Sequence, residues 1–413
     1  MRNIFRPRRA FLFYSLKFQP EVIIFKKKFL FSPKKRRHDK NYIRVIFIIT
    51  VCSSVAFANC NSRYPWLAAS FVKNLAVLRT DAVFYRGKKM KKIIATLAVF
   101  AAFCGSIYAG TVSFQNNYCS GTIAYNEKAK PGEAIWARLN MKIEKKRKNS
   151  AEPVAVLQLM KDNMKIDSAK FYHLNSKGKR QTMPEMLAGV PLSLWLDTNQ
   201  DYSLKVIFST GTEDTPKEAI LPFTLENVEW PKEVIPLDEK NSEIKQNMGP
   251  ERLAQIEKLN GILGTVMEND VYSIKPFIQP VKTDRYTAHF GDQRIYRYSN
   301  GKTSTSPHYG NDYGVPEGTD VSACAEGRVV MAENRISTGW SVVIEHLPGL
   351  YSLYYHLKSL NVKENDYVKA GEKIGLSGST GLATGPHLHW EVRLNMAALK
   401  PEFFMQDFTL SGQ

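Results

Sequence analysis

The sequence predicts a mainly β protein: an amino-terminal immunoglobulin-like β-sandwich, a helical linker and a carboxy-terminal antiparallel β domain. Three observations carry this expectation. From residue 110 to 227 short apolar runs recur between turn clusters, about seven strands at the spacing of a sandwich. Residues 250–266 repeat an apolar side chain every three to four positions, the period of a helix. From residue 276 onward alternating apolar stretches are punctuated by glycine and proline, which disfavours helix and suits strands.

The chain has 413 residues and a net charge of +18, enough length for two or three domains and enough charge to suggest nucleic acid. The distribution removes that partner. Residues 1–89 hold 20 basic and 3 acidic side chains, leaving 37 basic against 36 acidic beyond them, so the body is neutral. The step falls at Met90-Lys91-Lys92, followed by an apolar core from Ile93 to Phe103 and small residues up to Ala109. A basic head, an apolar core and a small-residue break describe a secretory signal peptide. Residues 90–109 are therefore expected to be the leader, translation to start at Met90, and residues 1–89 to be a basic upstream extension. A second reading gives the long form its own targeting or membrane segment at residues 42–58, behind the basic run from Lys34 to Arg44. On either reading a membrane is met only through the leader, and the product is exported to the periplasm or cell envelope. Beyond the leaders only Cys119 and Cys324 remain, expected as two buried thiols, with a bridge as the alternative.

Residues 110–230 form the expected sandwich, with strands at 134–141, 154–160, 171–174, 192–196, 202–208 and 219–225. No catalytic constellation stands out in it, and His173 reads as structural. Residues 231–272 are linker and helix: Pro231, Pro236 and several charges, then Pro250 at a first turn and a stripe of Leu253, Ile256, Leu259, Ile262, Leu263 and Val266. The domain over 273–405, about 140 residues long, is of a size to fold alone.

Its chemistry gathers in three short segments. Gly385-Pro386-His387-Leu388-His389-Trp390-Glu391-Val392 sets two imidazoles two residues apart in a period-2 pattern, hence on one face of a strand. His308-Tyr309-Gly310-Asn311-Asp312 adds an imidazole and a carboxylate, and Tyr354-Tyr355-His356-Leu357 a further imidazole. Four histidines and a carboxylate suffice for a catalytic zinc site plus a base. His289 and His346 lack such a setting and read as structural.

These segments, in this order, resemble the LytM/lysostaphin family of zinc peptidoglycan endopeptidases, whose pattern is His-x-x-x-Asp, a later Tyr-x-His-Leu and a final Gly-Pro-His-Leu-His. The likeness extends through Phe290-Gly291, Arg294, Asp312-Tyr313-Gly314-Val315-Pro316, Gly318-Thr319, Glu326-Gly327-Arg328-Val329 and Gly375 to Gly378, and covers residues 276–405. The resemblance implies zinc held by His308, Asp312 and His389, catalysis by His356 and His387, and substrate contacts from Tyr354 and Arg294. It implies stem peptides or cross-bridges of peptidoglycan as substrate. Two other readings stand beside it: a wall-binding regulator without catalysis of its own, and a secreted protease acting on proteins.

Overall fold

A computed structural model describes residues 109–117, 119–143, 153–174, 183–209 and 216–411. The expected basic extension and leader lie outside these residues, except that Ala109 opens the first strand. No helix among the described residues is long and apolar enough to cross a membrane.

The amino-terminal part is a two-sheet sandwich. Its strands are β1 (Ala109–Gln115), β2 (Cys119–Asn126), β3 (Lys128–Ala129), β4 (Ala134–Ile143), β5 (Val154–Lys161), β6 (Met164–Lys170), β7 (Tyr172–His173), β8 (Glu185–Pro191), β9 (Tyr202–Ser209), β10 (Lys217–Pro222) and β11 (Thr224–Leu225). One sheet runs β1-β2-β4-β8-β7 and the other β10-β9-β5-β6, while β3 and β11 form a small parallel pair. Ile135, Ala137, Leu139 and Met141 from β4 meet Leu157, Leu159, Leu204 and Val206 between the sheets. The strand expected at 192–196 lies earlier, at β8, because Met186, Leu187, Ala188 and Val190 supply the buried run; residues 192–196 turn instead.

The linker is more ordered than its prolines and charges suggest. Strand β12 (Lys232–Pro236) is followed by helix α1 (Glu239–Gln246), whose N-cap Asp238 accepts from the Asn241 N–H at 2.8 Å, and by α2 (Pro250–Leu263). The carboxy-terminal strands are β13 (Tyr286–Ala288), β14 (Gln293–Arg297), β15 (Thr303–Pro307), β16 (Asn311–Tyr313), β17 (Asp320–Ser322), β18 (Gly327–Arg335), β19 (Gly339–Leu347), β20 (Leu350–Leu360), β21 (Tyr367–Val368), β22 (Lys373–Ser377), β23 (Leu388–Leu394) and β24 (Ala397–Leu399). The main path is β13-β16-β23-β20-β19-β18-β21, with β17, β22 and β24 joined at its sides. A smaller sheet, β12-β14-β15, takes the linker strand in parallel beside β14.

Alternation on β18 to β20 buries both faces of the main sheet. Val342, Ile344 and Tyr354 point to one core, and Met331, Val343, Leu353 and Tyr355 to the other, where Leu259, Ile262 and Leu263 of α2 cover them. The expected helical stripe is thus only half used. Leu253 is exposed, and Val266 lies past the helix end at Gly264.

Strand β4 is buried on both faces. Opposite its sandwich face, Trp136 packs on Phe408 at 5.2 Å between ring centroids, in one cluster with Tyr172, Leu187, Phe277 and Phe404. Arg138 bonds the Thr409 carbonyl at 3.1 Å, and the Lys400 amide bonds the Gly132 carbonyl at 2.6 Å. Gly132 has φ +86°, and a Cβ there would come within 2.5 Å of the Phe290 ring, so glycine is required twice over. This shared core bears on the expectation that the carboxy-terminal part folds alone, which a fragment starting near Ser273 would test. Cys119 and Cys324 are both buried and no bridge joins them.

His346 illustrates a histidine used for structure. Its Nδ1 faces the Glu326 carbonyl at 2.9 Å, and its Nε2 faces the Ser352 hydroxyl at 2.7 Å. Burial pushes its pKa down to about 4, the Glu326 carbonyl opposing weakly. Between pH 6.5 and 4 the unfolded chain therefore takes up a proton that the folded one refuses. This histidine's contribution to stability is complete above pH 6.5 and is lost as pH falls toward 4, by up to about 3 kcal/mol. Urea unfolding of the wild type and His346→Gln should show the variant's deficit at pH 7 shrinking by that order at pH 4; a pH-independent deficit would contradict the assignment.

Candidate metal centre

Antiparallel pairing assembles the site. On β16 and β23, Asp312 lies opposite His389, and on β20 Tyr355 lies opposite the same His389. His308 precedes β16, and Gly310 between them is forced by space, since a Cβ would meet the Trp390 carbonyl oxygen at 2.4 Å. The extended backbone brings His308 and Asp312 together as their spacing predicts: Nε2 to Oδ1 is 3.1 Å.

His356 arrives by a different device. Val342 pairs with Tyr354 and Trp340 with Leu357, so Ser341 faces two residues, Tyr355 and His356. This is a β-bulge, and His356 takes φ +61° within it. A left-handed conformation costs a non-glycine residue about 1 kcal/mol or more, and here it turns His356 toward the histidines of β23. Its ring centroid lies 4.8 Å from that of His387 and 6.0 Å from that of His389.

Three atoms converge: His308 Nε2, Asp312 Oδ1 and His389 Nδ1, separated by 3.1, 3.0 and 2.7 Å. The outer contacts decide what they offer. His308 Nδ1 lies 2.9 Å from the His289 carbonyl, so it carries the proton and leaves Nε2 a lone pair. His389 Nε2 lies 2.9 Å from Glu391 Oε1, so it donates there and turns Nδ1 inward. Two ring lone pairs and a carboxylate oxygen facing one another at 3 Å repel unless a cation lies between them. Tetrahedral zinc with bonds of about 2.0–2.2 Å spaces its ligands by roughly 3.3–3.6 Å, so this triad would open by a few tenths of an ångström to hold it. Among the described residues this is the group whose ligand atoms could share one ion.

Where no ion lies between the three atoms, a proton on His389 Nδ1 relieves the same repulsion, and a bound metal would displace it. Burial works against charge on His389, but Asp312 and Glu391 outweigh it and hold its pKa up at about 9. Burial likewise opposes the Asp312 carboxylate, yet His308 and His389 keep it well below the usual range. Arg294 Nη2 donates to Asp312 Oδ2 at 2.6 Å, leaving Oδ1 for the centre. Burial, then the repulsion of His387 and His389, drives His356 down to about 3, so it is a neutral imidazole; its Nδ1 donates to the Thr380 carbonyl at 2.7 Å. His387 Nδ1 is similarly held by the Gly385 carbonyl at 2.8 Å, and its Nε2 is 3.7 Å from Asp312 Oδ1. Both histidines thus aim Nε2 at the triad.

Of the residues expected from sequence, His308, Asp312, His389, His356 and His387 come together. Tyr354 does not. It is 0 % exposed in the core, its hydroxyl accepting from the Cys324 amide at 2.8 Å and from Ser352 at 3.0 Å, because the alternation on β20 turns it away from Tyr355. Arg294 is on the site but spends its contact on a ligand carboxylate. The residues missed are Glu391 and Arg393: Arg393 donates to Glu391 at 2.7 Å, and Glu391 in turn orients His389. Their signal was in view, since 387, 389, 391 and 393 share one face of a strand. Burial opposes the Glu391 charge, but Arg393 and His389 bring its pKa down to about 2. Glu391→Gln should weaken metal binding by about 10-fold or more, read by chelator competition; unchanged affinity would make this carboxylate merely structural.

Residues 306–401 match the Peptidase family M23 model. The DD-carboxypeptidase/endopeptidase Mpg of Neisseria meningitidis serogroup B is 38% identical over 124 residues, 30% of this chain and 28% of its own length. The peptidoglycan DD-endopeptidase ShyA of Vibrio cholerae serotype O1 is 39% identical over 108 residues, 26% of this chain and 24% of its own. The chain thus spans about a quarter of the length of the curated relatives it matches. Among solved structures, the catalytic domain of lysostaphin from Staphylococcus simulans is 34% identical and covers 29% of this chain and 91% of its own, with a TM-score of 0.26.

Proposed function

We propose that the chain, whose residues 306–401 are a Peptidase family M23 domain, is a zinc-dependent endopeptidase that hydrolyses peptide bonds in bacterial peptidoglycan. The observation that carries this reading is the convergence of His308 Nε2, Asp312 Oδ1 and His389 Nδ1, with two further imidazoles aimed at them. These three residues would hold the ion. Bound zinc would supply a Lewis acid for the scissile carbonyl and acidify a water.

The remaining steps belong to the chain. His356, neutral and anchored through Nδ1, takes a proton at Nε2 from the attacking water. His387, at the mouth of the site, offers an Nε2 proton to the developing oxyanion when its ring is doubly protonated, and the proton that His356 has taken from the water passes to the leaving amine. Arg294 and Glu391 fix the carboxylate and imidazole that ligate, and Tyr355, stacked on His389 with centroids 5.4 Å apart, limits its ring to one plane.

His356→Ala and His387→Ala should each lower kcat by about 10²–10⁴ while zinc stays bound. A variant that keeps wild-type turnover would remove that residue from the mechanism.

Export to the periplasm or cell envelope belongs to the same reading, because peptidoglycan lies there. The support is the leader pattern of residues 90–109. Amino-terminal sequencing of the protein from cells should begin near Gly110; native protein retaining residues 1–89 would contradict the Met90 start.

A further inference from the structure

His356 is held in place from outside its own strand. Its φ of +61° is a conformation that persists in a non-glycine residue only where the surroundings hold it. Two carbonyls do so: that of Thr338 accepts the His356 amide at 2.8 Å, and that of Thr380 accepts Nδ1 at 2.7 Å. Both depend on one turn, Ile336-Ser337-Thr338, which joins β18 to β19. Thr338 is part of it. Thr380 is fitted against its end, where Oγ1 accepts the Trp340 amide at 3.0 Å and a Cβ on Gly339 (φ +62°) would overlap that oxygen. The Leu382 amide adds a bond to the Ser337 carbonyl at 2.9 Å.

The turn is braced in its turn by helix α2. Gln255 uses both its polar ends there: Oε1 accepts the Ile336 amide at 2.9 Å, and its backbone carbonyl accepts Arg335 Nη2 at 3.2 Å. Arg252, one turn earlier, donates from Nε to Ser337 Oγ at 2.9 Å. Arg335, 7 % exposed at the end of β18, gives Nη1 to Thr338 Oγ1 at 3.2 Å. Thr338 Oγ1 also lies 2.8 Å from Ser341 Oγ, and Ser341 is the residue that faces Tyr355 and His356 across the bulge. A planar guanidinium with two acceptors fixes direction as well as distance. One series of bonds therefore leads from α2 through Arg335 and Thr338 to the backbone of His356.

We propose that Gln255, Arg335 and Thr338 are positioning residues for His356: the linker helix sets the turn, and the turn sets the ring nitrogen that takes the proton from water. The proposal rests on the peptidase reading and deepens it. Gln255 lies outside residues 306–401, so part of the geometry of proton transfer is supplied by the linker and not by the matched domain. A displacement of about 1 Å at a reacting group can cost about 10²-fold in rate, so the signature falls in kcat and leaves KM and zinc affinity alone. Arg335 also neighbours the Tyr355 hydroxyl, whose ring stacks on His389, which makes Thr338 the cleaner position to change.

The test uses Thr338→Val, which removes the hydroxyl and keeps the carbonyl, beside Thr338→Ser, which keeps both, in the zinc-loaded full-length protein with a soluble cross-linked stem-peptide dimer. Thr338→Val should lower kcat about tenfold or more, with KM within about twofold and zinc affinity unchanged by chelator competition, and Thr338→Ser should restore turnover. Gln255→Ala should follow Thr338→Val. Lys258→Gln, which breaks the exposed ion pair of α2 with Glu333 and leaves the turn alone, should keep wild-type kcat. Nitrogen-15 spectra of the imidazoles give a readout apart from turnover: His356, protonated at Nδ1 in the wild type, should move toward averaged ring shifts in Thr338→Val, with His308 and His389 unmoved. Unchanged kcat in Thr338→Val, equal losses in the Val and Ser variants, or a loss carried by KM or by zinc affinity would overturn the proposal. If the wild type cleaves no peptide, the peptidase reading fails; the His356 resonances then decide alone, and identical spectra in the wild type and Thr338→Val would overturn the positioning role as well.

Discussion

Replacing His389 by alanine is expected to yield a folded protein that holds no zinc and hydrolyses nothing. The side chain supplies one of three convergent ligand atoms and is fixed on its outer side by Glu391. Zinc sites bind with roughly 10–16 kcal/mol shared among a few ligands, so deleting one removes several kcal/mol, about a thousandfold in affinity or more. His308→Ala and Asp312→Ala should behave alike. In Asp312→Ala the Arg294 guanidinium is also left buried without its carboxylate, which adds a cost to folding. His356→Ala and His387→Ala should keep the metal, since their Nδ1 atoms are held by backbone carbonyls outside the triad. Metal analysis of the five variants reads this division. Full occupancy in His389→Ala would mean that the two histidines of the final motif have exchanged roles.

Trp136→Ala should destabilise the protein by about 3–5 kcal/mol, the range for removing a fully buried aromatic side chain. Trp136 is 0 % exposed and stands where the sandwich meets Phe277, Phe404 and Phe408. Because this cluster spans both β domains, the loss should be felt in one cooperative unfolding transition. Removing residues before Ser273 goes further, taking away Trp136, Tyr172 and Leu187 together with strand β12, and Arg138 with its bond to Thr409. The fragment should be insoluble or loosely packed, by calorimetry and near-ultraviolet circular dichroism. A monomeric fragment that melts cooperatively at the wild-type temperature would contradict the shared core.

Much of the catalytic part was legible because its information is local. The alternation of Leu388, Trp390, Val392 and Leu394 with His387, His389, Glu391 and Arg393 assigns the strand and its polar face at once. The spacing of His308 and Asp312 likewise places them together whatever the sheet order. What was not legible depends on long-range pairing. Nothing near residues 232–236 announces that this strand will lie beside residues 293–297, and the bulge at His356 follows from a mismatch with Ser341 on the neighbouring strand. Tyr354 and Tyr355 are the same residue type with opposite fates, one in the core and one stacked on a ligand, and only the register separates them. The run 185–191 escaped notice because Ala188 and Gly189 dilute its hydrophobicity. Gly189 is needed there, since a Cβ would meet the Trp136 ring at 2.9 Å.

Mass analysis of soluble fragments released from purified peptidoglycan by zinc-loaded protein spanning residues 110–413 tests the proposed chemistry most directly. Products should carry one new amine and one new carboxylate from an opened peptide bond, with the glycan intact, and should vanish with a chelator and in His387→Ala. Fragments produced by glycan cleavage, undiminished by chelator, or absent altogether would contradict a zinc peptidase acting on the wall.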